Sequence, residues 1–378
     1  MTSRNRILKA MNLEHPDRVP LMCQFSVGFM IRQVKEIGIR PMELWFDAEK
    51  YAETLLTLRN KFKFDGILVS LYGHSEDWRS KIRKVETKER MEIAVLHDRT
   101  EYYPGDDLPY ADFRESRRRD IAEFSAAEIP DEPDYIPVSK NCCFFIDPGD
   151  PFRIFDILDK EVRGEYSIHG EVTSPFDYLL DLLGYENALI SLVTEPYKCQ
   201  NILQKFTDGI LKLAEGICSK NVDAIKVSSP FTGMGFISPE FYRSFELPYI
   251  KQLTNFIKTK GKFAYLHTCG HINDRLELMR ESGICGLECL DPPPIGNVEL
   301  EDAFRRIGQD MFIKGNIDPV NTLLNGSDKY IREDVRRRLS VGKKYPGFIL
   351  STACSIAPKT EANNVRLLSH LVEQFGYY

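Results

Sequence analysis

The fold is decided by a strand–helix–strand unit between residues 263 and 290, which reads FAYLHTCGHINDRLELMRESGICGLECL. A short apolar run, Phe263–His267, opens the unit and a second one, Gly286–Leu290, closes it. Between them, Asn273–Ser282 has the spacing of apolar residues that is typical of an amphipathic helix. A strand, a helix and a second strand form the repeating unit of a parallel sheet with helical crossovers. The unit therefore predicts two parallel strands that lie side by side.

Similar apolar runs, separated by helical patterns, recur along the whole chain. They are Val19–Phe25, Gly66–Tyr72, Tyr166–His169 continuing into Gly170–Ser174, Ala224–Ser228, Phe312–Gly315 and Phe348–Ser351. The helices expected between them are Glu43–Phe62, Pro175–Thr194, Pro196–Ser219, one that starts at Ser238-Pro239-Glu240, Val298–Ile307, Asp328–Val341 and Lys359–Phe375. Eight strand–helix units in one chain favour closure into a barrel. We therefore predict an α/β fold, a (β/α)8 TIM barrel, with a short helix, Arg4–Met11, ahead of the first strand.

One segment, from about residue 75 to about residue 160, is much longer than a single crossover requires. Within it, Lys84–Glu101 alternates in a way that predicts strands, and Gly105-Asp106-Asp107 is a turn signal. We interpret this segment as an insertion after the second strand, packed near the barrel mouth. On this interpretation residues 1–378 form a single barrel domain.

Composition narrows the classes of function. The 378 residues carry a net charge of −6, which is not the basic surface expected of a nucleic-acid-binding protein. No apolar run approaches the roughly 20 residues that span a bilayer, and the first residues have no apolar leader. We therefore expect a cytoplasmic protein with no nucleic-acid or membrane partner, whose nine cysteines are thiols or metal ligands. Whether it forms a homodimer is left open.

The active site of a barrel lies at the C-terminal ends of its strands. The polar residues expected there are Gln24, Ser26, Tyr72, His74, His169, Glu171, Ser228, Ser229, His267, Cys269, Glu288, Cys289, Asp291, Asn316, Asp318, Ser351 and Cys354. Residues two apart on a strand point to the same face, so His267 and Cys269 are expected to face one pocket. Cys354 follows the last strand, from where a third donor is able to reach inward.

One imidazole and two thiolates suit zinc, and three protein ligands leave the open position of a catalytic site. The alternative is that these cysteines are small buried apolar residues, since spacing alone does not prove that the three side chains converge. Glu288 is a candidate fourth ligand or proton acceptor, or else a salt-bridged rim residue. His169 and Glu171 are candidate catalytic residues with packing roles as the alternative. Asp318 is expected to cap the next helix.

Five phrases in this sequence resemble the uroporphyrinogen decarboxylase superfamily. They are DRVP at 17–20, ISPE at 237–240, YLHTCGH at 265–271, KGNIDP at 314–319 and STACSIAP at 351–358. The resemblance covers nearly the whole chain apart from the insertion. Decarboxylases of this superfamily use no metal and have an Arg-Gln-Ala-Gly-Arg phrase near the start. This chain has MCQFSVG at 22–28 there, without the basic residues that hold porphyrinogen carboxylates.

The closer resemblance is to the methylcobamide:coenzyme M branch of corrinoid-dependent methyltransferases. That branch has His-x-Cys and a distant Cys as zinc ligands, which His267, Cys269 and Cys354 match. The resemblance implies Zn2+ as cofactor, and a corrinoid (methylcobalamin) supplied by a small partner protein. It also implies a small-molecule methyl donor or acceptor activated by zinc: a thiol such as coenzyme M, or a methoxy or methylamine compound.

Three hypotheses of function follow. The leading one is a zinc-dependent, corrinoid-dependent methyltransferase, which is favoured by the three-ligand set. The second is a metal-free lyase that acts on a carboxylated substrate such as a tetrapyrrole, and it requires several cationic groups at the mouth. The third is a barrel that only binds a corrinoid protein or a ligand, which an open metal position disfavours.

Overall fold

Thirteen strands occur in the computed structural model, which describes residues 1–70, 77–89, 91–116, 118–139, 142–146 and 149–378. In chain order they are β1 (Gly66–Val69), β2 (Lys84–Lys88), β3 (Met91–Val95), β4 (Arg99–Pro104), β5 (Tyr110–Phe113), β6 (Tyr135–Ser139), β7 (Cys142–Phe145), β8 (Ser167–Thr173), β9 (Ala224–Ser228), β10 (Phe263–Thr268), β11 (Gly286–Cys289), β12 (Phe312–Ile317) and β13 (Phe348–Thr352). Seven of them form a curled parallel sheet in the order β1-β8-β9-β10-β11-β12-β13. This sheet confirms the predicted barrel fold.

Helices connect these strands and cover the outside of the sheet. They are α1 (Ser3–Met11), α2 (Val27–Val34), α3 (Pro41–Phe46), α4 (Ala48–Phe62), α5 (Trp78–Lys81), α6 (Arg153–Val162), α7 (Pro175–Leu183), α8 (Tyr185–Thr194), α9 (Pro196–Cys218), α10 (Pro239–Phe245), α11 (Leu247–Thr259), α12 (Leu276–Glu281), α13 (Leu300–Ile307), α14 (Asp328–Gly342) and α15 (Ala362–Phe375). Helix α1 confirms the predicted N-terminal helix. Among the described helices, none is long and apolar enough to cross a membrane.

The predicted first strand, Val19–Phe25, was wrong as a strand. Its residues are extended but make only isolated bridges, from Leu21 to Leu350 and from Phe25 to Ile356. Pro20 has no N–H to donate, and the N–H of Leu21 is bonded at 2.8 Å to the carboxylate of Asp65 instead of to a strand. The Leu21 carbonyl nevertheless accepts the Asp65 N–H at 2.7 Å. The segment therefore occupies the eighth position, between β13 and β1, without a regular ladder.

Two predicted helices are each divided in two. Residues 175–194 form α7 and α8 because Gly184 adopts a φ of +80°, a left-handed conformation that a helix cannot contain. Residues 41–62 form α3 and α4, with Asp47 between them accepting the N–H groups of Glu49 and Lys50. In both cases a capping or turn residue interrupts a continuous apolar pattern.

The insertion consists of two small antiparallel sheets, β2-β3-β4-β5 and β6-β7. The strands predicted within Lys84–Glu101 and the turn at 105–107 are confirmed. The carbonyl of Asp106 lies so close to Gly28 that a Cβ there would approach it to 2.3 Å. The β4–β5 turn therefore packs on the start of α2. Tyr72 and His74, the predicted site residues of the second strand, lie outside the described residues.

A buried carboxylate joins the segments that enter the barrel. Asp65 precedes β1, is fully buried, and accepts hydrogen bonds from Arg6 at 2.7 Å and from Arg18 at 2.9 Å. It also accepts the hydroxyl of Ser3 at 2.8 Å and the N–H of Leu21. One side chain thus ties α1, the eighth-position segment and the start of β1 together.

Replacing Asp65 by alanine is expected to reduce the free energy of unfolding by about 3–5 kcal/mol, because it leaves the guanidinium groups of Arg6 and Arg18 without their shared buried partner. Urea denaturation of both proteins measures this. Glu14→Ala is the matched control, since the exposed pair Lys9–Glu14 contributes less than about 1 kcal/mol. Equal urea midpoints for Asp65→Ala and the control would contradict the assignment.

Candidate metal centre

Three of the predicted side chains converge where β10 and β13 end. His267 is the last but one residue of β10, Cys269 follows that strand directly, and Cys354 lies two residues beyond β13. The Nε2 atom of His267 is 3.3 Å from Sγ of Cys269, and Sγ of Cys269 is 3.9 Å from Sγ of Cys354. All three donor atoms lie within 4.8 Å of one another.

The donor geometry fits a tetrahedral ion. Bond lengths of about 2.0 Å to nitrogen and 2.3 Å to sulfur imply edges of about 3.5 Å between N and S, and of about 3.8 Å between two S atoms. The corresponding separations here are 3.3 Å for His267–Cys269 and 3.9 Å for Cys269–Cys354. The residues present therefore fit zinc with one coordination position left for a substrate.

Glu288 on β11 orients the imidazole of His267. Its Oε2 atom is 3.1 Å from Nδ1 of His267, so the Nδ1–H donates to the carboxylate and Nε2 faces the two sulfurs. Burial lowers the pKa of His267, but contacts with Cys354 and Glu288 outweigh it and raise the pKa to about 9. Metal binding therefore has to displace a proton from Nε2.

Two buried lysines neutralise Glu288, and sequence reasoning missed both. Lys314 on β12 is ion-paired with Oε1 of Glu288, and Lys226 on β9 is 3.7 Å from Oε2. Burial would raise the pKa of Glu288, but the two ammonium groups hold it well below its usual range. The sequence signal that could have identified these lysines is the presence of one lysine inside each of two apolar runs, at 224–228 and at 312–315. A charge in a buried strand requires a partner.

Glu171 and His169, predicted as catalytic residues, lie on the same strand at different depths. Glu171 is 2.8 Å from Lys226 and is still 8% exposed. His169 is fully buried, and its ring nitrogens are 3.0 Å from the Ser167 hydroxyl and 3.1 Å from the Tyr265 hydroxyl. Burial lowers the pKa of His169 to about 3, so the ring is neutral. The structure therefore brings Glu171 to the site and places His169 deeper in the barrel.

A second donor group shares Cys269 with the first. Cys269, Cys289 and Asp291 have donor atoms within 4.8 Å of one another. Hydrogen bonds from Cys289 and Cys354 lower the pKa of Cys269 to about 5, and burial raises the pKa of Cys289 well above its usual value. Burial also raises the pKa of Asp291. Cys269 is thus the most acidic of the three neighbouring thiols, Cys269, Cys289 and Cys354.

The remaining predicted mouth residues have mostly structural contacts. Asp318 accepts the N–H groups of Val320 and Asn321 at 2.8 Å, which confirms the predicted cap, although the helical turn that it caps, Pro319–Leu324, is of the π type. Ser26 caps α2, and Asn316 donates to the carbonyl of Leu290 at 2.9 Å. Gln24 is an exception, because its Oε1 accepts from Lys226 at 2.7 Å at the floor of the site.

A buried acidic pair beside β10 was also missed. Glu246 is fully buried and accepts the Ser229 hydroxyl at 2.6 Å and the Ser174 hydroxyl at 3.2 Å. Burial raises the pKa of Glu246 to about 7. Burial raises the pKa of the nearby Asp177 well above its usual value, and the charge of Glu246 raises it further. No sequence signal marked this pair, because Asp177 on α7 and Glu246 between α10 and α11 are far apart in the chain.

Comparison with known proteins identifies relatives of this chain. The family model described as uroporphyrinogen decarboxylase (URO-D) matches residues 150–375. A methylcobamide:CoM methyltransferase of Methanosarcina mazei is 21% identical over 100% of this chain and 99% of its own length. That of Methanosarcina acetivorans is 25% identical over 58% of this chain, which spans only 62% of that relative. A uroporphyrinogen decarboxylase of Ruthia magnifica is 29% identical, over 56% of each chain.

One solved structure has the same fold. It is described as a methyltransferase from Methanosarcina mazei, and its TM-score is 0.73 over 99% of both chains at 18% sequence identity.

Replacing Glu246 by glutamine is expected to change how stability depends on pH. The folded-state pKa of about 7 lies above the ordinary 4.5, so the carboxyl group contributes its full stability below pH 4.5 and loses it as pH rises through 7. Relative to Glu246→Gln, the wild type should lose about 3 kcal/mol between pH 4.5 and pH 8. Urea denaturation across this range measures the difference. Parallel curves for the two proteins would refute the buried, uncharged Glu246.

Proposed function

This chain belongs to the uroporphyrinogen decarboxylase family, and from that premise we propose that it is a zinc-dependent methyltransferase. It would move a methyl group between a corrinoid, carried by a small partner protein, and a small-molecule acceptor or donor. The observation that carries this proposal is the convergence of His267, Cys269 and Cys354 in a geometry that suits a tetrahedral ion. Two relatives described as methylcobamide:CoM methyltransferases, one matched over 99% of its length and one over 62%, support the same reaction class.

Zinc held by these three residues would supply Lewis acidity, which lowers the pKa of a bound thiol and keeps it a thiolate at neutral pH. Methyl transfer to such a thiol would form a C–S bond and break the Co–C bond of the corrinoid co-substrate, which would keep the electron pair of that bond. The thiol proton is released before the transfer. Transfer in the opposite direction, from a methoxy or methylamine donor, would use the same coordination position.

The chain's own residues prepare this position. Glu288 holds the Nδ1–H of His267, so the imidazole presents Nε2 to the ion as a neutral ligand. Lys226 and Lys314 keep Glu288 ionised, and Lys226 also holds Glu171 at 2.8 Å. Glu171 is the more exposed of the two carboxylates, so we assign it the role of accepting the substrate proton.

A metal-free lyase is the weaker proposal. It requires unpaired cations at the mouth to hold substrate carboxylates, as noted from the sequence. The two lysines at the site, Lys226 and Lys314, each have a carboxylate partner instead. The methyltransferase therefore accounts for more of the site.

The direct test combines metal content with methyl transfer. Cys354→Ala should lower the zinc content by about one ion per chain, and it should abolish transfer from free methylcobalamin to a panel of small thiols, because the site loses a ligand. Elemental analysis and the absorbance of the demethylated corrinoid measure these results. Cys218→Ala, at the end of α9, is the control and should change neither.

Three outcomes would contradict the proposal. Unchanged zinc in both Cys354→Ala and Cys269→Ala would remove the metal site. Full zinc with no transfer to any thiol, and none from methoxy or methylamine donors to a reduced corrinoid, would favour a binding role. Turnover of uroporphyrinogen without added metal would favour the metal-free lyase instead of the methyltransferase.

Removing the carboxylate that orients His267 is expected to weaken zinc binding about 10–100-fold. Glu288→Gln alone would leave the buried ammonium group of Lys314 without its carboxylate partner. The variant to use is therefore Glu288→Gln combined with Lys314→Met, which keeps the buried charge balanced. Competition with a chromophoric chelator gives the affinity. Glu301→Gln with Lys344→Met removes an exposed ion pair as the control. Equal affinities in the two double variants would show that Glu288 does not position the ligand.

A further inference from the structure

A second set of metal donors lies beside the first and shares one sulfur with it. Among the described residues, donor atoms of His, Cys, Asp and Glu form two groups of three, and Cys269 belongs to both. The second group adds Cys289, the last residue of β11, and Asp291, two residues further on. Both of these side chains are buried, and neither has a role in the function proposed above.

Asp291 is held so that one oxygen remains available. Its Oδ2 accepts the N–H of Gly270 at 2.6 Å, which ties it to the residue after Cys269. Its Oδ1 is shielded from solvent and has no nitrogen or oxygen hydrogen-bond partner among the described residues; the polar group beside the carboxylate is the Cys289 thiol, and only 4% of Asp291 is exposed. An unsatisfied buried carboxylate oxygen costs free energy unless something else binds it.

One ion cannot use all five donors. The edge of a tetrahedron around zinc is at most about 3.8 Å between sulfurs. The donor atoms of Cys289 and Asp291 each lie more than 4.8 Å from at least one donor atom of the first group, so the five atoms form two groups instead of one. Cys289 therefore does not complete the coordination of an ion held by His267, Cys269 and Cys354 in this arrangement.

The charges also suit two ions. With His267 neutral and every donor deprotonated, as metal binding requires, Cys269, Cys289, Cys354 and Asp291 would carry four negative charges in all. Two divalent cations balance them. One cation would balance only Cys269 and Cys354, and it would leave the Asp291 carboxylate buried beside them. The adjacent set of Lys226, Lys314, Glu171 and Glu288 is already neutral as a whole.

We propose that Cys269, Cys289 and Asp291 bind a second divalent ion, with the Cys269 thiolate bridging it to the first. Two thiolates and one carboxylate are donors that zinc accepts. Sharing the sulfur would weaken its donation to the first ion, and that ion would then be a stronger Lewis acid. This proposal takes the first ion from the function proposed above. The second set of donors is a feature of the structure and does not depend on which reaction the protein catalyses.

The experiment is a metal titration of the full chain with Zn2+, analysed by elemental content after removal of free ions, and repeated with Co2+. Two ions per chain are expected for the wild type. Asp291→Asn, which keeps the hydrogen bond from Gly270, and Cys289→Ala should each retain one ion. Cys354→Ala should also retain one, whereas Cys269→Ala should retain none because its sulfur serves both sites.

Cobalt gives a readout that does not depend on activity. Two Co2+ ions that share a thiolate couple magnetically, so the paramagnetic resonance signal per cobalt should be lower in the wild type than in Asp291→Asn. Cys285→Ser, before β11 and outside both groups, is the control and should bind two ions.

The outcomes separate this inference from the function proposed above. One ion in the wild type and in Asp291→Asn, with none in Cys354→Ala, would overturn the second site and leave the first. A wild type with one ion whose affinity falls in Cys289→Ala would also overturn it, since Cys289 would then be a ligand of the single ion. Two ions in the wild type with no methyl transfer would support the second site and refute the methyltransferase.

Discussion

The register of three neighbouring parallel strands is the constraint on which the site depends. In that register His267 of β10 lies opposite Glu288 of β11, and Glu288 lies opposite Lys314 of β12. The proposed ligand His267, the carboxylate that orients it and the ammonium group that neutralises this carboxylate are therefore three residues at one level of the barrel. A shift of one residue between two of these strands would turn every side chain of one strand to the opposite face. The site would then lose its orienting carboxylate together with part of the core.

Burying four charged side chains at this level of the barrel costs free energy, and ion pairs among them offset that cost. Lys226, Lys314, Glu171 and Glu288 are all at least nine-tenths buried, and removing ions from water costs several kcal/mol for each. Their mutual pairing returns most of that free energy but little net stability. Such a set is better explained by what it does for His267 than by what it contributes to folding. The paired charges keep a strong hydrogen-bond acceptor beside the imidazole without leaving a net charge there.

At the opposite end of the barrel, a buried carboxylate holds together the segments that enter the sheet. Asp65 gathers Arg6, Arg18 and the backbone of Leu21 where the chain enters the sheet. It replaces a regular strand ladder at the eighth position, so the barrel closes through a carboxylate and a few isolated bridges. The buried ion pairs of Asp65 therefore tie the chain together at the bottom of the barrel, whereas Cys289, with a φ of +85°, and the unsatisfied Oδ1 of Asp291 lie at the mouth.

The sequence by itself determined the alternation of strands and helices, because apolar runs and amphipathic periods are local properties of the chain. It also determined that His267 and Cys269 share a face, because alternate residues of a strand must do so. Only the tertiary structure decided that Cys354 joins them, that Lys226 and Lys314 meet Glu288, and that Cys289 and Asp291 form a second donor set. These contacts join residues up to 85 positions apart in the chain. The curvature and register of the closed sheet set their distances, and no local pattern encodes either one.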